Sequence, residues 1–259
     1  LEIGHRQFDA GEFGDALQRY QSALAEAGGL PEAELGIARV YAAQADLLLA
    51  IRFYNLALEQ EAQFRVDELV YQARLELAEL YRRRQEPERY EETLLRIVAD
   101  DTVFSSPEEE LTKNRMREVL LTEGVDRLLV LYRLEEPFTL EAHQRLTAHF
   151  LEGGREIALD HGMFAVVKIL SQAIEAYRAR YFDFEFRDLL DFYGRLDRRP
   201  LIANYLADAG LFRSLYQLGV AVELYRPGSP VARRIMSDLV ALGEVAGQWA
   251  GRAQQFLNG

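Results

Sequence analysis

Four histidines, His5, His143, His149 and His161, are the side chains best placed to bind a metal or move a proton near neutral pH. None lies in a His-Glu-x-x-His segment. His143 and His149 are six residues apart, about 240° around a helix, so one face cannot present both. The four read as isolated surface or partly buried side chains, not as a metal centre. Cysteine is absent, which excludes disulfides, thiolate zinc sites, iron–sulfur clusters and cysteine nucleophiles. Neither phosphate-cradling loop, Gly-x-x-x-x-Gly-Lys-Ser/Thr or Gly-x-Gly-x-x-Gly, occurs, and no Gly-x-Ser-x-Gly elbow is present. The acidic runs Glu108-Glu109-Glu110 and 86–92 read as solvated helix starts and faces. The expectation is a protein that is not an enzyme and holds no cofactor or metal.

The elements that carry these residues are helical. All seven prolines, Pro31, Pro87, Pro107, Pro137, Pro200, Pro227 and Pro230, fall between segments with apolar residues three and four apart, as in Leu75, Ala78, Leu80 and Tyr81. Only Phe182, Phe184 and Phe186 alternate as a strand would. The chain therefore reads as all-α. Ser106-Pro107-Glu108-Glu109 has the cap, proline and acids of a helix start. Beyond it the pattern predicts helices over 107–122, 125–134, 138–160, 163–181, 199–208, 211–225 and 230–257.

Small residues repeat along the first part of the chain. Gly4 aligns with Ala38, Gly11 with Ala45, Ala16 with Ala50, Tyr20 with Tyr54, Ala23 with Ala57 and Leu24 with Leu58, each pair 34 residues apart. A third copy, shifted by six residues, places Ala78 and Tyr81 in the roles of Ala38 and Tyr41, with Tyr90, Leu94 and Ile97 replacing Ala50, Tyr54 and Ala57. The large replacements predict looser or altered packing there. Gly154, Val166, Leu170 and Ala173 follow the template more loosely. Small residues let two antiparallel helices approach, large ones fill the space between pairs, and stacking makes the core continuous.

The period and the segment Gly11-Glu-Phe-Gly-Asp-Ala16-Leu-Gln-Arg-Tyr20-Gln-Ser-Ala23-Leu24 resemble the tetratricopeptide repeat family. The resemblance is densest over residues 1–60, continues to 104 and thins beyond. It implies a right-handed helical-hairpin solenoid, with three repeats over 1–104 and degenerate or otherwise all-helical pairs over 105–259. It also implies that the first helix of each pair lines a concave groove for a partner. The groove residues by alignment are Leu1, His5 and Phe8, then Glu32, Leu35, Arg39 and Ala42, then Gln72, Leu75, Glu79, Arg82 and Arg83. The family's chaperone-binding members use lysines and asparagines on a C-terminal carboxylate. His5, Leu35, Arg39, Leu75 and Glu79 stand there in this chain, which points away from that ligand.

The implied function is a non-catalytic scaffold or adaptor binding a partner peptide or helix. The alternatives are a structural subunit of a bacterial envelope or motility assembly, and a helical ligand-sensing domain with a pocket within 138–225. A formal charge of −12 lacks the positive footprint of a nucleic-acid binder and suits a basic partner or simple solubility. No apolar run is long enough to span a bilayer. The chain begins at Leu1, which suggests a removed leader or a piece of a longer protein. Cytoplasm and periplasm both remain open, and the lack of cysteine suits the latter. Two further features stand out. Tyr177, Tyr181, Phe182, Phe184, Phe186, Phe192 and Tyr193 form an aromatic run that reads first as core and second as a binding patch. Gly243, Gly247 and Gly251 recur every fourth residue, predicting a close helix crossing inside the molecule or a homodimer seam.

Overall fold

A computed structural model describes the chain over residues 1–105, 107–134, 137–180, 188–195 and 199–259. Within these residues it is all-helical, with no strand. The alternation at Phe182, Phe184 and Phe186 lies outside the described residues, as does Ser106. The chain divides into two compact units, Leu1–Ile97 and Val98–Gly259, ahead of the expected boundary at 104.

The first unit contains α1 (Glu2–Asp9), α2 (Phe13–Ala27), α3 (Pro31–Ala43), α4 (Leu47–Leu58), α5 (Glu68–Arg83) and α6 (Pro87–Val98, which ends at the boundary). Helices adjacent in sequence pack on each other: α1 on α2, α2 on α3, α3 on α4, α4 on α5. One turn recurs. Gly11, Ala45 and Gln85 all take the left-handed conformation, with φ of +78°, +63° and +59°. In each case the next N–H reaches back five residues to close the preceding helix: Glu12 to the Gln7 carbonyl at 2.8 Å, Asp46 to Tyr41 at 2.9 Å, Glu86 to Tyr81 at 3.0 Å. Gly11 meets this conformation without a Cβ penalty, whereas Ala45 and Gln85 carry strain. The following helix starts at once, and Asp46 caps α4 by accepting from the Leu49 N–H.

Ala16, Ala38, Ala50, Ala57 and Ala78 have no exposed surface, and Tyr20 and Tyr54 are fully buried between helices. The third copy is not left open: Leu94 and Ile97 are fully buried and Tyr81 and Tyr90 nearly so, because the larger side chains occupy the volume that alanine leaves elsewhere. Gly36 is a small residue that the alignment did not single out. Its Cα faces the Tyr20 ring so closely that a methyl there would stand 2.6 Å from two ring carbons.

The second unit contains α7 (Thr102–Ser105), α8 (Pro107–Glu123), α9 (Val125–Leu131), α10 (Leu140–Glu152), α11 (Ala158–Arg180), α12 (Leu189–Gly194), α13 (Pro200–Asp208), α14 (Leu211–Tyr225), α15 (Pro230–Ala241) and α16 (Gln248–Asn258). Its centre is α11, buried almost all round over Ala158–Ser171, with α8, α9, α10, α13 and α14 packed on it. The expected helix over 138–160 ends earlier, at Glu152. Gly154 adopts φ +63° and the Arg155 N–H closes on the Phe150 carbonyl at 2.8 Å, the same turn as in the first unit.

The expected single helix over 230–257 is also two. Gly243 and Gly247 take φ of +52° and +56°, a conformation that breaks a right-handed helix. A short 3-10 turn at Gly243–Val245 separates α15 from α16. Gly243, Gly247 and Gly251 therefore form no continuous ridge, and a Cβ on any of them would meet nothing within 4 Å. The close crossing and the homodimer seam read from their spacing lose their basis. α16 instead packs on α15 and α14.

Candidate functional site

The first unit carries an open cleft of about 490 Å³, lined by His5, Phe8, Asp9, Tyr20, Arg39, Ala42, Ala43, Tyr54 and Glu76. α1, α3 and α5 supply most of its wall, and the two tyrosines reach it from α2 and α4. Four aligned groove residues, His5, Phe8, Arg39 and Ala42, thus share one concavity. Tyr20, Tyr54 and Glu76 were not among them. Their signal was present in the 34-residue pairing of the tyrosines, but the direction of their hydroxyls is a tertiary fact.

Two polar clasps shape the cleft. The Tyr20 hydroxyl lies 2.8 Å from His5 Nδ1. Burial, then the nearby Arg39 and amino-terminal charges, hold the His5 imidazole below its ordinary range. In the equivalent place one pair on, Tyr54 donates to Glu76 Oε2 at 2.6 Å. Arg39 Nε and Nη2 grip both oxygens of the same carboxylate at 2.9 and 2.8 Å, and Nη2 also reaches Gln72 Oε1 at 3.4 Å. Burial works against the Arg39 charge and Glu76 more than restores it. Burial, followed by the Glu76 charge, pushes the Tyr54 phenol far up. The Arg39 fork and the Glu76 carboxylate therefore occupy each other, and the cleft offers aromatic edges, alanines and the Asp9 carboxylate more than a free cation.

Apart from Gln72, which meets Arg39, most of the remaining aligned residues fall elsewhere. Glu32 and Leu35 are buried in α3 and present almost no surface. Glu32 Oε1 accepts from the Arg65 N–H at 2.8 Å and Glu34 accepts from Gln60 at 2.6 Å, so these acids fasten the segment before α5 onto the start of α3. On α5, Arg82 forks onto Glu79 one turn earlier, Leu75 is half-buried and Arg83 is exposed. None of these residues lines the cleft with His5 and Arg39.

The second unit holds a polar cluster that sequence reasoning missed. Asp101 is fully buried just before α7. Its Oδ2 accepts from Lys168 Nζ at 2.7 Å and Thr139 Oγ1 at 2.9 Å, with His143 Nε2 at 3.2 Å. His143 Nδ1 in turn lies 3.0 Å from His161 Nδ1. Both imidazoles are buried, which corrects their reading as isolated histidines. Phe104 of α7 covers both rings, at centroid distances of 5.0 and 4.8 Å. The partner of His143 is not His149 on its own helix but His161 on α11, which no helical wheel of α10 can register. A usable signal was the lysines. Every other basic side chain in the sequence is arginine, yet Lys168 pairs with Asp101 and Lys113 lies 4.6 Å over Phe104. A compact ammonium fits a buried corner that a guanidinium fork would overfill. Among the described residues no three His, Asp or Glu side chains converge to hold a metal.

Of the aromatic run, Tyr177, Phe192 and Tyr193 are core, in edge-on and tilted contacts that run on to Phe212. Tyr181, Phe182, Phe184 and Phe186 lie outside the described residues. No described helix is long and apolar enough to cross a membrane.

The fold and cleft define an all-helical protein of helices packed in neighbouring pairs. No protein-family model matches the chain. It is 24% identical over 250 residues to an uncharacterized protein of Treponema pallidum (strain Nichols), a match that takes in 95% of this chain and 66% of that protein. The chain thus spans just under two thirds of its relative's length.

Proposed function

We propose that the chain is a non-catalytic scaffold of tetratricopeptide-like helical hairpins, and that the first unit holds a segment of a partner protein in the cleft between His5 and Glu76. The observation that carries this reading is the cleft itself. His5, Phe8, Arg39 and Ala42, aligned with one another through the 34-residue period, meet in one open concavity of about 490 Å³. The recurrent left-handed turn at Gly11, Ala45 and Gln85 supports the repeat reading, since each turn returns the next helix in the same way. Phe8 and the two tyrosines provide aromatic surface, and the exposed Asp9 favours a partner segment with a basic side chain.

The test is cross-linking in cells of the native source followed by mass spectrometry of what the tagged chain retains. Ala43, an exposed cleft residue outside both polar clasps, is replaced by Arg to fill the cleft without disturbing the fold. One or two stoichiometric partners lost in Ala43→Arg, at unchanged thermal stability, are expected. A large assembly recovered equally by both proteins would move the reading to an assembly subunit. No partner, together with a metabolite that raises the melting temperature, would move it to a ligand sensor.

A further inference from the structure

The hydrogen-bond directions around Asp101 determine where the protons sit on the two buried histidines. Burial opposes the Asp101 charge, but His143 and Lys168 overcome it and hold the carboxyl far below its usual range. An ionised carboxylate only accepts, so His143 must donate from Nε2 to Oδ2. A neutral His143 then has a lone pair on Nδ1, and His161 must donate to it from its own Nδ1. With both imidazoles neutral, the Asp101 and Lys168 charges cancel, and the Nε2–Oδ2 and Nδ1–Nδ1 contacts each pair a donor with an acceptor. A first added proton brings a second cation beside Lys168. A second leaves two N–H groups facing each other across 3.0 Å. Neither cation has water within reach while Phe104 lies over the rings.

We propose that His143 and His161 form an acid-sensitive latch, which holds residues 98–105 on the α10–α11 hairpin at neutral pH and releases them when the surroundings acidify. Asp101 fastens the segment to Lys168, Thr139 and His143, and Phe104 packs on the imidazoles, on Phe164 at 4.9 Å and under Lys113 at 4.6 Å. Lifting it gives both rings access to water and to protons.

Charges reach the pair from several elements, the cations disfavouring an added proton and Asp101 favouring it. Lys168 acts on His143 from α11. Lys113 on α8 and Arg155 in the α10–α11 turn act on His161. Asp101 is the anion that opposes them. The other nearby carboxylate, Asp160, is held by Arg117 of α8 in a two-pronged pair at 2.9 and 2.8 Å. On α10 itself, Glu141 is paired with Arg145 at the surface. α14 packs on α10 and α11, with Ser214 Oγ accepting from Gln144 of α10 and Leu218 lying against Gly162 of α11, and its Arg213 is exposed. Burial, the largest influence on either ring, holds both imidazoles below their ordinary range, His161 well below.

The sign follows. A histidine whose folded pKa is depressed contributes full stability above its unfolded value of about 6.5 and loses it as pH falls below that. Each imidazole that gains a proton on opening raises the opening equilibrium by up to about tenfold per pH unit, or about a hundredfold for the pair. The experiment is hydrogen exchange with mass spectrometry on the full chain from pH 7.5 to 5.0, corrected for intrinsic exchange. Peptides over 98–105 are expected to lose protection steeply below pH 6.5, and the double variant His143→Gln, His161→Asn, which keeps side-chain N–H donors but does not titrate, to flatten that dependence. An opening constant independent of pH, or an equal rise in the variant, overturns the latch. Should the variant not fold, imidazole nitrogen resonances of the native protein decide. Neutral rings at pH 7.5, protonated at Nε2 in His143 and Nδ1 in His161 and titrating below 6.5 together with exposure of 98–105, support it. Rings that titrate at or above 6.5 overturn it.

Discussion

Gly36 on α3 packs flat against the Tyr20 ring of α2, so that a methyl in its place would stand 2.6 Å from Cε1 and from Cζ. Tyr20 cannot swing away easily. It is 1% exposed, is wedged among Ala16, Ile37 and Val40, and its hydroxyl is engaged with His5. Gly36→Ala is therefore expected to destabilise the first unit by about 1–3 kcal/mol, the usual range for overpacking. Gly4→Ala, whose methyl would meet the same ring at 2.9 Å from the shorter α1, should cost less. Urea unfolding monitored by circular dichroism checks both, and an unchanged midpoint for Gly36→Ala would refute the close approach.

The strained left-handed residues predict the opposite sign. Gln85 holds φ +59° at an exposed turn, and glycine adopts that geometry without a Cβ clash. Gln85→Gly is expected to be neutral or stabilising by up to about 1 kcal/mol, although mid-helix glycine substitutions usually destabilise. Gly154→Ala, at φ +63°, should cost about 1 kcal/mol. Melting temperatures of the two variants test the pair of signs.

Glu76 anchors the cleft floor by accepting from Arg39 twice and from Tyr54. Glu76→Ala leaves the buried Tyr54 hydroxyl and a largely desolvated guanidinium without their acceptor. A loss of about 1–3 kcal/mol is expected, toward the lower end because the Glu76 side chain is 37% exposed. Arg39→Ala and the double variant complete a thermodynamic cycle. A coupling indistinguishable from zero would remove the clasp from the account of the cleft.

Asp238 sets a pH dependence opposed to that of the histidines. Burial, with Asp126 and Asp188 adding to it against Arg234, raises its pKa to about 6. A carboxyl raised in the folded state is a liability above that value, and the liability fades as pH falls from about 6 toward its unfolded value of about 3.9. Asp238→Asn should thus stabilise the second unit at pH 7.5, by an amount of order 1 kcal/mol after solvent screening. Near pH 4 the gain should vanish. Unfolding curves at the two pH values supply the check, and equal gains at both would contradict the raised pKa. Because Asp238 offsets part of the histidine effect on global stability, the latch must be read from local exchange at 98–105.

The legible part of this molecule is the part governed by local chain physics. Proline positions and three-and-four spacing marked the helices, since a proline ring and a helical face impose themselves within one or two turns. The 34-residue pairing of Ala16 with Ala50 and of Tyr20 with Tyr54 marked which residues the first unit buries. It also brought His5, Phe8, Arg39 and Ala42 together, because equivalent positions on equivalent helices share a face. Where a glycine decided the outcome, the pattern misled. The periodicity ran through Gly154, Gly243 and Gly247 without registering that each would turn left-handed and break the helix. Glu32 and Leu35 were assigned to a groove by register, and burial of α3 from both sides removed them from it.

Spacing, punctuation and composition by themselves determined an all-helical chain, its paired helices and its small-residue seams, because these follow from backbone geometry a few residues at a time. Only the tertiary structure decided that Glu76 occupies Arg39, and that Asp101, His143, His161 and Lys168 meet in one buried cluster. Those contacts join residues 18 to 67 positions apart in different segments of the chain. Their geometry depends on how antiparallel helices rotate about their own axes to fill the core, and no local rule in the chain specifies that rotation.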